Sequence, residues 1–265
     1  MNISMLFSSC DKYDDTWIPF FTQLKKFWPE FDMPVYMSIE SKTFQFEGFD
    51  IRCPLANGPV YKQWSERLLK LLEHIDTEYV LFALDDFWLT APVNNIIFER
   101  IYSYMENDKR MGFVCLKQEG IKGKSPAKNI AANVDCEYPE LWRCLKNKSY
   151  RITTQFGLWK RSYLIKILRA HESVWYFETR ATWRSKFYWE RVYDVKETVT
   201  IYPVGGFLGG GQCYEDYKGL FDGELIKPCV EKRGFIHFGD HRDYPPTPKG
   251  IYYYFSVFRS MLPKW

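Results

Sequence analysis

The sequence predicts an α/β fold in which helices flank a mostly parallel central sheet. Strand and helix signals alternate through the first third of the 265-residue chain. The run Glu78–Leu84 is apolar almost throughout, as expected for a strand buried on both faces. Just before it, residues 62–75 carry apolar side chains at the 3.6-residue spacing of a helix. This alternation favours a parallel sheet that binds ligands at the carboxyl ends of its strands.

The elements of the first half follow from short apolar runs separated by polar turns. The expected strands are Asn2–Ser8, Met33–Ile39, Phe49–Cys53, Glu78–Leu84 and Met111–Leu116. The expected helices are Trp17–Trp28, which Pro29 ends, Lys62–Ile75, with Ser65 as its cap, and Val93–Asn107. Residues 117–133 are polar and predict a long exposed loop.

The second half is less regular. We expect a strand over Tyr150–Leu158, a helix over Arg161–Ala170 and a strand over Thr198–Val204. The glycine-rich Gly205–Gly211 lacks the Gly-Lys-Ser/Thr ending of a phosphate loop. A segment that becomes ordered on binding and an ordinary hairpin turn explain it equally well. Since no linker or internal repeat is visible, we expect a single domain over residues 1–265.

Composition excludes several classes of protein. The net charge of +3 is small and spread along the chain, so bulk nucleic-acid binding is not expected. Seven scattered cysteines without a CxxC pair argue against a disulfide framework or a zinc site and favour a reducing compartment. No signal peptide and no apolar run of membrane-spanning length is visible, so a cytoplasmic or peripheral membrane protein is expected.

Aromatic residues are unusually frequent, at 19% of the chain. Most of these rings are expected in the core, where they bury large apolar areas. An excess of this size also leaves rings for a surface that stacks on sugars or bases.

Two adjacent carboxylates, Asp85 and Asp86, follow the apolar run directly. Like charges at the end of a buried strand raise each other's pKa and need a partner. A hard divalent cation that also bridges to phosphate is a suitable partner, so a metal and diphosphate site is expected at this edge of the sheet. The alternative is that one of the two aspartates caps the following turn.

Two segments, Trp64-Ser65-Glu66-Arg67 and Leu84-Asp85-Asp86-Phe87, are similar to those of GT-A-fold glycosyltransferases. More closely, the two segments resemble those of bacterial transferases that are encoded with capsular polysaccharide and lipopolysaccharide assembly. In that superfamily a helix leads into a strand that ends in an Asp-x-Asp motif, which binds the donor diphosphate and a manganese or magnesium ion. The resemblance covers Ile3–Leu116 and short pieces beyond it, and this chain has Asp-Asp-Phe in place of Asp-x-Asp.

The resemblance implies a donor site around the aspartate pair. Asp85 would face the donor ribose or sugar, and Asp86 would hold the metal. Arg67 would meet phosphate or base through its planar fork of donors. A salt bridge near Glu66 or Glu73 is the alternative for Arg67.

Further donor residues are implied on both sides of this motif. Ser8, Ser9 and Asp11 lie where the superfamily binds base and ribose. His237 follows a short apolar strand and would complete the metal shell, although a lone histidine is more often structural. Arg242 would neutralise the leaving diphosphate.

Transfer with inversion needs a general base near the acceptor hydroxyl, and Glu178 is the candidate. It follows an aromatic cluster in which Trp175 and Phe177 would stack on an acceptor sugar, and similar segments occur in the resembling transferases. Apolar rings beside a carboxylate would raise its pKa. The alternative is that Glu178 begins a helix, and Asp194 and Glu190 are weaker candidates for the base.

The tail 251–265 is aromatic and has basic residues toward its end, Arg259 and Lys264. As an amphipathic helix it would lie on an anionic membrane, where lipid-linked acceptors are found. Docking onto the domain core is the alternative.

The expected function is therefore inverting transfer of a sugar from a nucleotide-diphosphate donor, UDP-linked, to a glycan or lipid-linked acceptor. Residues 1–116 would bind the donor and residues 117–265 the acceptor, in the cytoplasm or at the inner face of the cell membrane. A retaining transferase, a nucleotidyltransferase and a non-catalytic carbohydrate-binding protein are the alternatives. The loop after the first strand lacks the glycines and basic residues typical of a nucleotidyltransferase.

Overall fold

A nine-stranded sheet forms the centre of the computed structural model, which describes residues 1–117, 132–240 and 251–262. Its strands are β1 (Ile3–Ser8), β2 (Val35–Ser38), β3 (Ile51–Arg52), β4 (Tyr79–Leu84), β5 (Met111–Cys115), β6 (Asn133–Asp135), β7 (Leu141–Cys144), β8 (Gly157–Lys160) and β9 (Arg191–Val195). Their spatial order is β3-β2-β1-β4-β8-β5-β9-β7-β6. Within this sheet only β7 and β8 run against the other strands. The predicted α/β fold with a mostly parallel sheet is confirmed.

Helices flank the sheet: α1 (Trp17–Phe27), α2 (Trp64–Leu72), α3 (Asn95–Asn107), α4 (Arg161–Ile167), α5 (Val174–Arg184), α6 (Gly223–Arg233) and α7 (Ile251–Met261). Polar side chains cap several of them, since the first N–H groups of a helix lack partners within it. The side chain of Asn94 accepts from the Ile97 N–H at 3.2 Å, and that of Asp222 from the Glu224 N–H at 2.8 Å. None of the helices in the described part of the chain is long and apolar enough to cross a bilayer.

Strand β4 shows why its sequence is apolar throughout. Tyr79, Leu81 and Ala83 belong to one buried cluster, together with side chains of α1 and α3. Val80 and Phe82 belong to a second cluster on the other face, with side chains of α2, α4 and α5. Because both faces of the strand are covered, polar residues at alternate positions would be buried without partners.

A second sheet of three short strands lies outside the main one: β10 (Leu208–Gly209), β11 (Gln212–Tyr214) and β12 (Phe235–Ile236). Gly210 and Gly211 join β10 to β11 with φ values of +57° and +87°. A two-residue hairpin turn with both φ values positive favours glycine, which has no Cβ to clash. Part of the glycine-rich run is therefore a hairpin.

Three expectations about local structure are wrong. Ser65 does not cap α2 but lies inside it, where its Oγ accepts from the Glu172 N–H at 2.8 Å. Residues 198–204 form no strand, because their backbone bonds are divided between two partners: the Val199 N–H donates to Leu116 and the Thr90 N–H to Ile201. Most of residues 150–158 is also irregular, and only β8 begins there. The predicted loop 117–133 falls mostly outside the described residues.

A buried ion pair joins α5 to the loop that precedes it. The Arg184 guanidinium donates to both carboxylate oxygens of Glu172, at 2.6 Å each, and its Nε donates to the Ile167 carbonyl at 3.0 Å. Both side chains are almost completely buried. Removal of one partner would leave the other charge buried and uncompensated, which is far more costly than the pair is favourable.

We therefore expect Glu172→Ala to lower the free energy of unfolding by about 3–5 kcal/mol. Glu73→Ala is the matched control, because it removes an ion pair with Lys70 in which both side chains are exposed. The control should change stability little, since exposed pairs contribute little. Urea denaturation of both variants measures the difference, and equal losses would contradict the assigned role of the buried pair.

Candidate functional site

A cavity of about 600 Å³ opens at the carboxyl ends of β1 and β4. These two parallel strands pair in register, with Ser8 opposite Leu84, so the residues that follow them leave the sheet side by side. The cavity wall also includes the start of α5 and the glycine-rich segment. It brings together these residues predicted from the sequence: Ser8, Ser9, Arg67, Asp85, Asp86, Trp175 and Glu178.

Asp85 is held in a fixed position at the base of this cavity. Its side chain is only 9% exposed, and its Oδ2 accepts a hydrogen bond from the Ser9 hydroxyl. Ser9 Oγ in turn accepts from the Trp17 indole N–H at 2.8 Å. Burial raises the pKa of Asp85, against the opposing effects of the Ser9 hydrogen bond and the Arg233 charge. The Ser8 hydroxyl has a different partner: its Oγ accepts a hydrogen bond from the Trp64 indole N–H at 2.9 Å.

Asp86 is half-buried and contacts the glycine-rich segment. Its carbonyl accepts from the Phe207 N–H at 2.9 Å, and its Oδ2 accepts from the Leu208 N–H at 3.4 Å. Gly206 has φ +90°, and a Cβ on it would lie 2.1 Å from Asp86 Oδ2. Only glycine fits at this position without displacing the carboxylate. The sequence showed the glycines but gave no sign of this contact with Asp86.

The predicted metal shell is not assembled by protein side chains alone. Within residues 1–117, 132–240 and 251–262, no three His, Cys, Asp or Glu side chains converge as ligands. His237 is exposed and lies near two other acids, with Nε2 3.6 Å from Glu215 and Nδ1 3.5 Å from Asp216. It is not part of the cavity wall, although the next residue, Phe238, is. Arg242 lies outside the described residues.

Arg67 is 4% exposed and lines the cavity. Its ion pair is with Glu40, at 2.8 Å, and not with the acids of its own helix. Its terminal nitrogens also donate to the carbonyl of Tyr61 at 2.9 Å and to that of Ser9 at 3.1 Å. The Nε is buried and has no hydrogen-bond partner among the residues that the structure describes. Arg67 is therefore held in one orientation by its neighbours, at the wall of the cavity.

The side chain of Asp11 holds the segment after β2 in place. Its carboxylate accepts from the N–H groups of Glu40 and Ser41, both at 3.0 Å, and from the Ser41 hydroxyl at 2.5 Å. Burial raises its pKa, but these hydrogen bonds outweigh burial and the net pKa is lowered. The Asp11 N–H donates to Glu40 Oε2 at 2.5 Å. Asp11 thus positions Glu40, a carboxylate that the sequence analysis missed although it follows a predicted parallel strand.

Glu178 lies on α5, beyond its first turn. One oxygen, Oε1, accepts from the Thr154 N–H at 2.7 Å, the Thr154 hydroxyl at 2.8 Å and the Thr153 hydroxyl at 3.0 Å. No donor in the described part of the chain reaches Oε2. Burial raises the pKa of Glu178, and the threonine hydrogen bonds only partly oppose this. The weaker candidates, Asp194 and Glu190, are each ion-paired with a lysine and do not line the cavity.

The aromatic wall of the cavity differs from the predicted one. Trp175 is 37% exposed and lines the cavity, as expected. Phe177 is only 1% exposed and packs against the Trp64 ring at 5.5 Å, so the structure does not place it at an acceptor surface. Trp175 and Phe177 are two positions apart on a helix, so their side chains point in nearly opposite directions. Tyr214 and Phe238, with ring centroids 5.1 Å apart, line the cavity instead.

Comparison with known proteins identifies the fold. No protein-family model matches the chain, and no curated protein sequence matches it. Among solved structures, residues 1–349 of TarS from S. aureus in complex with UDP are similar, with a TM-score of 0.53 and 12% identity over 88% of this chain and 65% of that fragment. The same fragment in complex with UDP-GlcNAc has a TM-score of 0.50 and 11% identity, over 88% of this chain and 66% of that fragment.

A further structure of the TarS fragment gives a TM-score of 0.50 and 13% identity over 76% of this chain and 59% of the fragment. The chain thus spans less than two thirds of the fragment's length in each of the three comparisons. At this identity the similarity concerns the fold alone. The chain thus shares an α/β fold with the TarS fragment, and this agrees with the fold class that the sequence predicts.

Proposed function

We propose that this protein is a glycosyltransferase that moves a sugar from a UDP-sugar to a hydroxyl of a glycan or lipid-linked acceptor, with inversion. The observation that carries the proposal is the shared cavity. It gathers Arg67, Asp85 and Asp86 from the first half of the chain and Trp175 and Glu178 from the second. A reaction between two substrates needs such convergence, because both must be held together in the geometry of attack.

The donor nucleotide would bind near Arg67 and Glu40. Nη2 of Arg67 carries a second N–H beside the one that donates to the Ser9 carbonyl, and each Glu40 oxygen can accept a further hydrogen bond. This pairing of a donor and an acceptor complements the N3–H and carbonyl edge of uracil. The TarS fragment of similar fold was crystallised with UDP and with UDP-GlcNAc, which also favours a uridine nucleotide. Asp85 would contact the ribose or the sugar.

Asp86 suits a divalent cation that also binds the donor diphosphate. Mg²⁺ is commonly held by one or two carboxylates together with substrate phosphates, so a prearranged cluster of three protein ligands is not required. When bound, Mn²⁺ or Mg²⁺ would supply positive charge to the departing diphosphate. His237 is not included here, because its imidazole lies near Glu215 and Asp216. Arg242 stays a candidate for the leaving diphosphate.

Glu178 would act as the general base. The two threonines fix Oε1, so Oε2 is the oxygen that would take the proton of the acceptor hydroxyl. The deprotonated oxygen attacks the anomeric carbon from the face opposite the diphosphate, a new glycosidic C–O bond forms, and the bond to the nucleotide diphosphate breaks. Trp175 would stack on the acceptor sugar beside the base.

The biological setting would be synthesis of a cell-surface polysaccharide of the capsular or lipopolysaccharide type, at the cytoplasmic face of the membrane. NMR of the product's anomeric configuration separates an inverting from a retaining enzyme. UDP release from a sugar-nucleotide panel separates an enzyme from a carbohydrate-binding protein. A nucleotidyltransferase would instead release pyrophosphate from a nucleoside triphosphate.

Asp86→Asn and Glu178→Gln should each lower UDP release in the presence of Mn²⁺, by about 10²–10³-fold and 10²–10⁴-fold. Glu224→Gln is the control, because this acid is exposed, does not line the cavity and forms its ion pair with the exposed Lys227. Since the base acts deprotonated, turnover should fall as pH drops through the raised pKa of Glu178, above the ordinary value of 4.5. Near-normal turnover of both site variants would reject the assignment.

Glu40→Gln should weaken the preference for UDP over CDP. The carboxylate accepts from the N3–H of uracil, whereas cytosine has an acceptor at that position. Loss of a hydrogen bond to a charged group changes binding by about 1.5–3 kcal/mol, on the order of tenfold to a hundredfold. Isothermal titration with both nucleotides measures the ratio. Asp50→Asn, at an exposed ion pair with Arg52, should leave the ratio unchanged, and an unaltered ratio in Glu40→Gln would refute base recognition by Glu40.

Gly206→Ala should lose most of the thermal stabilisation that UDP and Mn²⁺ give together, because its Cβ would displace the Asp86 carboxylate. Gly205→Ala is the matched control. Gly205 also has a positive φ, +77°, but the nearest atom to its Cβ would be Phe238 Cε2 at 3.7 Å. Both variants carry similar backbone strain, of order 1–3 kcal/mol. If scanning fluorimetry finds equal ligand-induced shifts in the two, Gly206 has no specific role at Asp86.

A further inference from the structure

Gln155 is a polar residue of the cavity wall, next in the chain to the residues that hold the proposed base. It follows Thr154, whose N–H and hydroxyl both donate to Glu178 Oε1. The Gln155 N–H donates to Thr153 Oγ1 at 3.3 Å, and the Thr153 hydroxyl is the third donor to Glu178. Gln155 therefore belongs to the short hydrogen-bonded segment that fixes the base.

The side-chain amide of Gln155 is oriented by a hydrogen bond from Tyr202. The Tyr202 hydroxyl donates to Gln155 Oε1 at 2.6 Å, and the same hydroxyl accepts from the Phe156 N–H at 3.1 Å. A phenol carries a single proton, and since Phe156 donates to the oxygen, that proton is directed to Oε1. The amide oxygen is thus engaged, and Nε2 with its two N–H donors lies on the other side of the amide.

Tyr202 is itself held in place from several sides. It is buried, and its ring stacks on the Phe87 ring at a centroid distance of 4.5 Å. Lys117 Nζ lies 3.6 Å from the centroid of the Tyr202 ring and donates to the Tyr202 carbonyl at 2.9 Å. A side chain locked by packing and hydrogen bonds keeps the group that it contacts in a defined geometry. Tyr202 therefore gives the Gln155 amide one direction.

The Nε2 group of Gln155 is open to a ligand in the cavity. Gln155 is half-buried, and across the described ranges no oxygen of the protein accepts a hydrogen bond from its Nε2. Because Oε1 is engaged, the amide can only donate to a ligand. It therefore matches a sugar hydroxyl or another oxygen with a lone pair, and it cannot pair with an ammonium group, which has none.

We propose that Gln155 selects the sugar that receives the transferred residue, because its amide donates to a hydroxyl oxygen beside the hydroxyl that reacts. Tyr202 is a positioning residue that acts through this amide. The receiving sugar is the partner, and not the donor sugar, because Gln155 follows the two threonines that hold Glu178. The assignment rests on the proposed function, in which Glu178 meets the receiving sugar.

Binding of simple glycosides tests this subsite without turnover. Methyl glucoside, methyl galactoside and methyl mannoside are titrated by saturation-transfer NMR against the protein saturated with UDP and Mg²⁺. The glycoside that binds the unaltered protein most tightly should bind Gln155→Met about three- to tenfold more weakly, because a neutral hydrogen bond is lost. Gln155→Glu keeps an oxygen for the Tyr202 hydroxyl and loses both N–H donors, so it should show at least the same loss. The affinity for UDP should not change in either variant.

Gln45→Met is the matched control. Gln45 Nε2 donates to the Ile51 carbonyl at 3.2 Å, so this substitution also removes one hydrogen bond within the protein, but Gln45 does not line the cavity. Its affinity for the glycoside should equal that of the unaltered protein. Tyr202→Phe should weaken glycoside binding, and Gln155→Met should then have little further effect, because both act through one hydrogen bond. Additive losses in the double variant would contradict the positioning role of Tyr202.

Monodeoxy analogues of the best glycoside identify the contact. Removal of one hydroxyl should weaken binding to the unaltered protein and leave binding to Gln155→Met unchanged. The proposal is overturned if Gln155→Met and the unaltered protein bind the glycosides equally, if only the affinity for UDP falls, or if no glycoside binds. Failure of the proposed function has a different signature, since glycosides would bind through Gln155 while no sugar nucleotide released UDP.

Discussion

The contact between Ser9 and Asp85 is the constraint on which the site depends. It exists because β1 and β4 run parallel and in register, so that the residues following them emerge together. Trp17 donates to Ser9 Oγ, which directs the Ser9 proton toward the carboxylate. A buried carboxylate without such a donor would be too costly to keep. The sheet therefore fixes one aspartate and leaves its neighbour, Asp86, at the cavity.

Structure could be predicted from the sequence where the pattern that encodes it lies within one short segment. The apolar run of β4 predicted both the strand and the position of the aspartate pair, because coverage on two faces leaves a continuous pattern. The positions of site residues could not be predicted from the sequence where they depend on contacts between distant segments. Glu40 is placed by Asp11, 29 residues away in sequence, and Glu178 by Thr153 and Thr154. No periodicity encodes such pairings, since they depend on how loops meet at the sheet edge.

The prediction that Phe177 lies at the cavity beside Trp175 is wrong for a different reason. Trp175 and Phe177 are close in sequence, which suggests one cluster, but on a helix their side chains diverge. Phe177 lies between Trp64 and Trp159 in the core, while Trp175 lines the cavity. Helix phase depends on where α5 begins, and Ser173 sets that point through its hydrogen bond to the Tyr176 N–H. A helix that starts after Ser173 places the two rings on different sides, so the cap residue carries the signal that separates them.

A guanidinium from the second half of the chain joins two walls of the cavity. Arg233, at the end of α6, pairs with Asp15 at 2.6 Å and lies over the Tyr13 ring at 4.2 Å. It also donates to the Gly211 carbonyl at 3.2 Å. It thus ties the segment after β1 to the glycine hairpin whose other end contacts Asp86. Because its charge also acts on the buried Asp85, Arg233 couples the shape of the cavity to the electrostatics of its acidic residues.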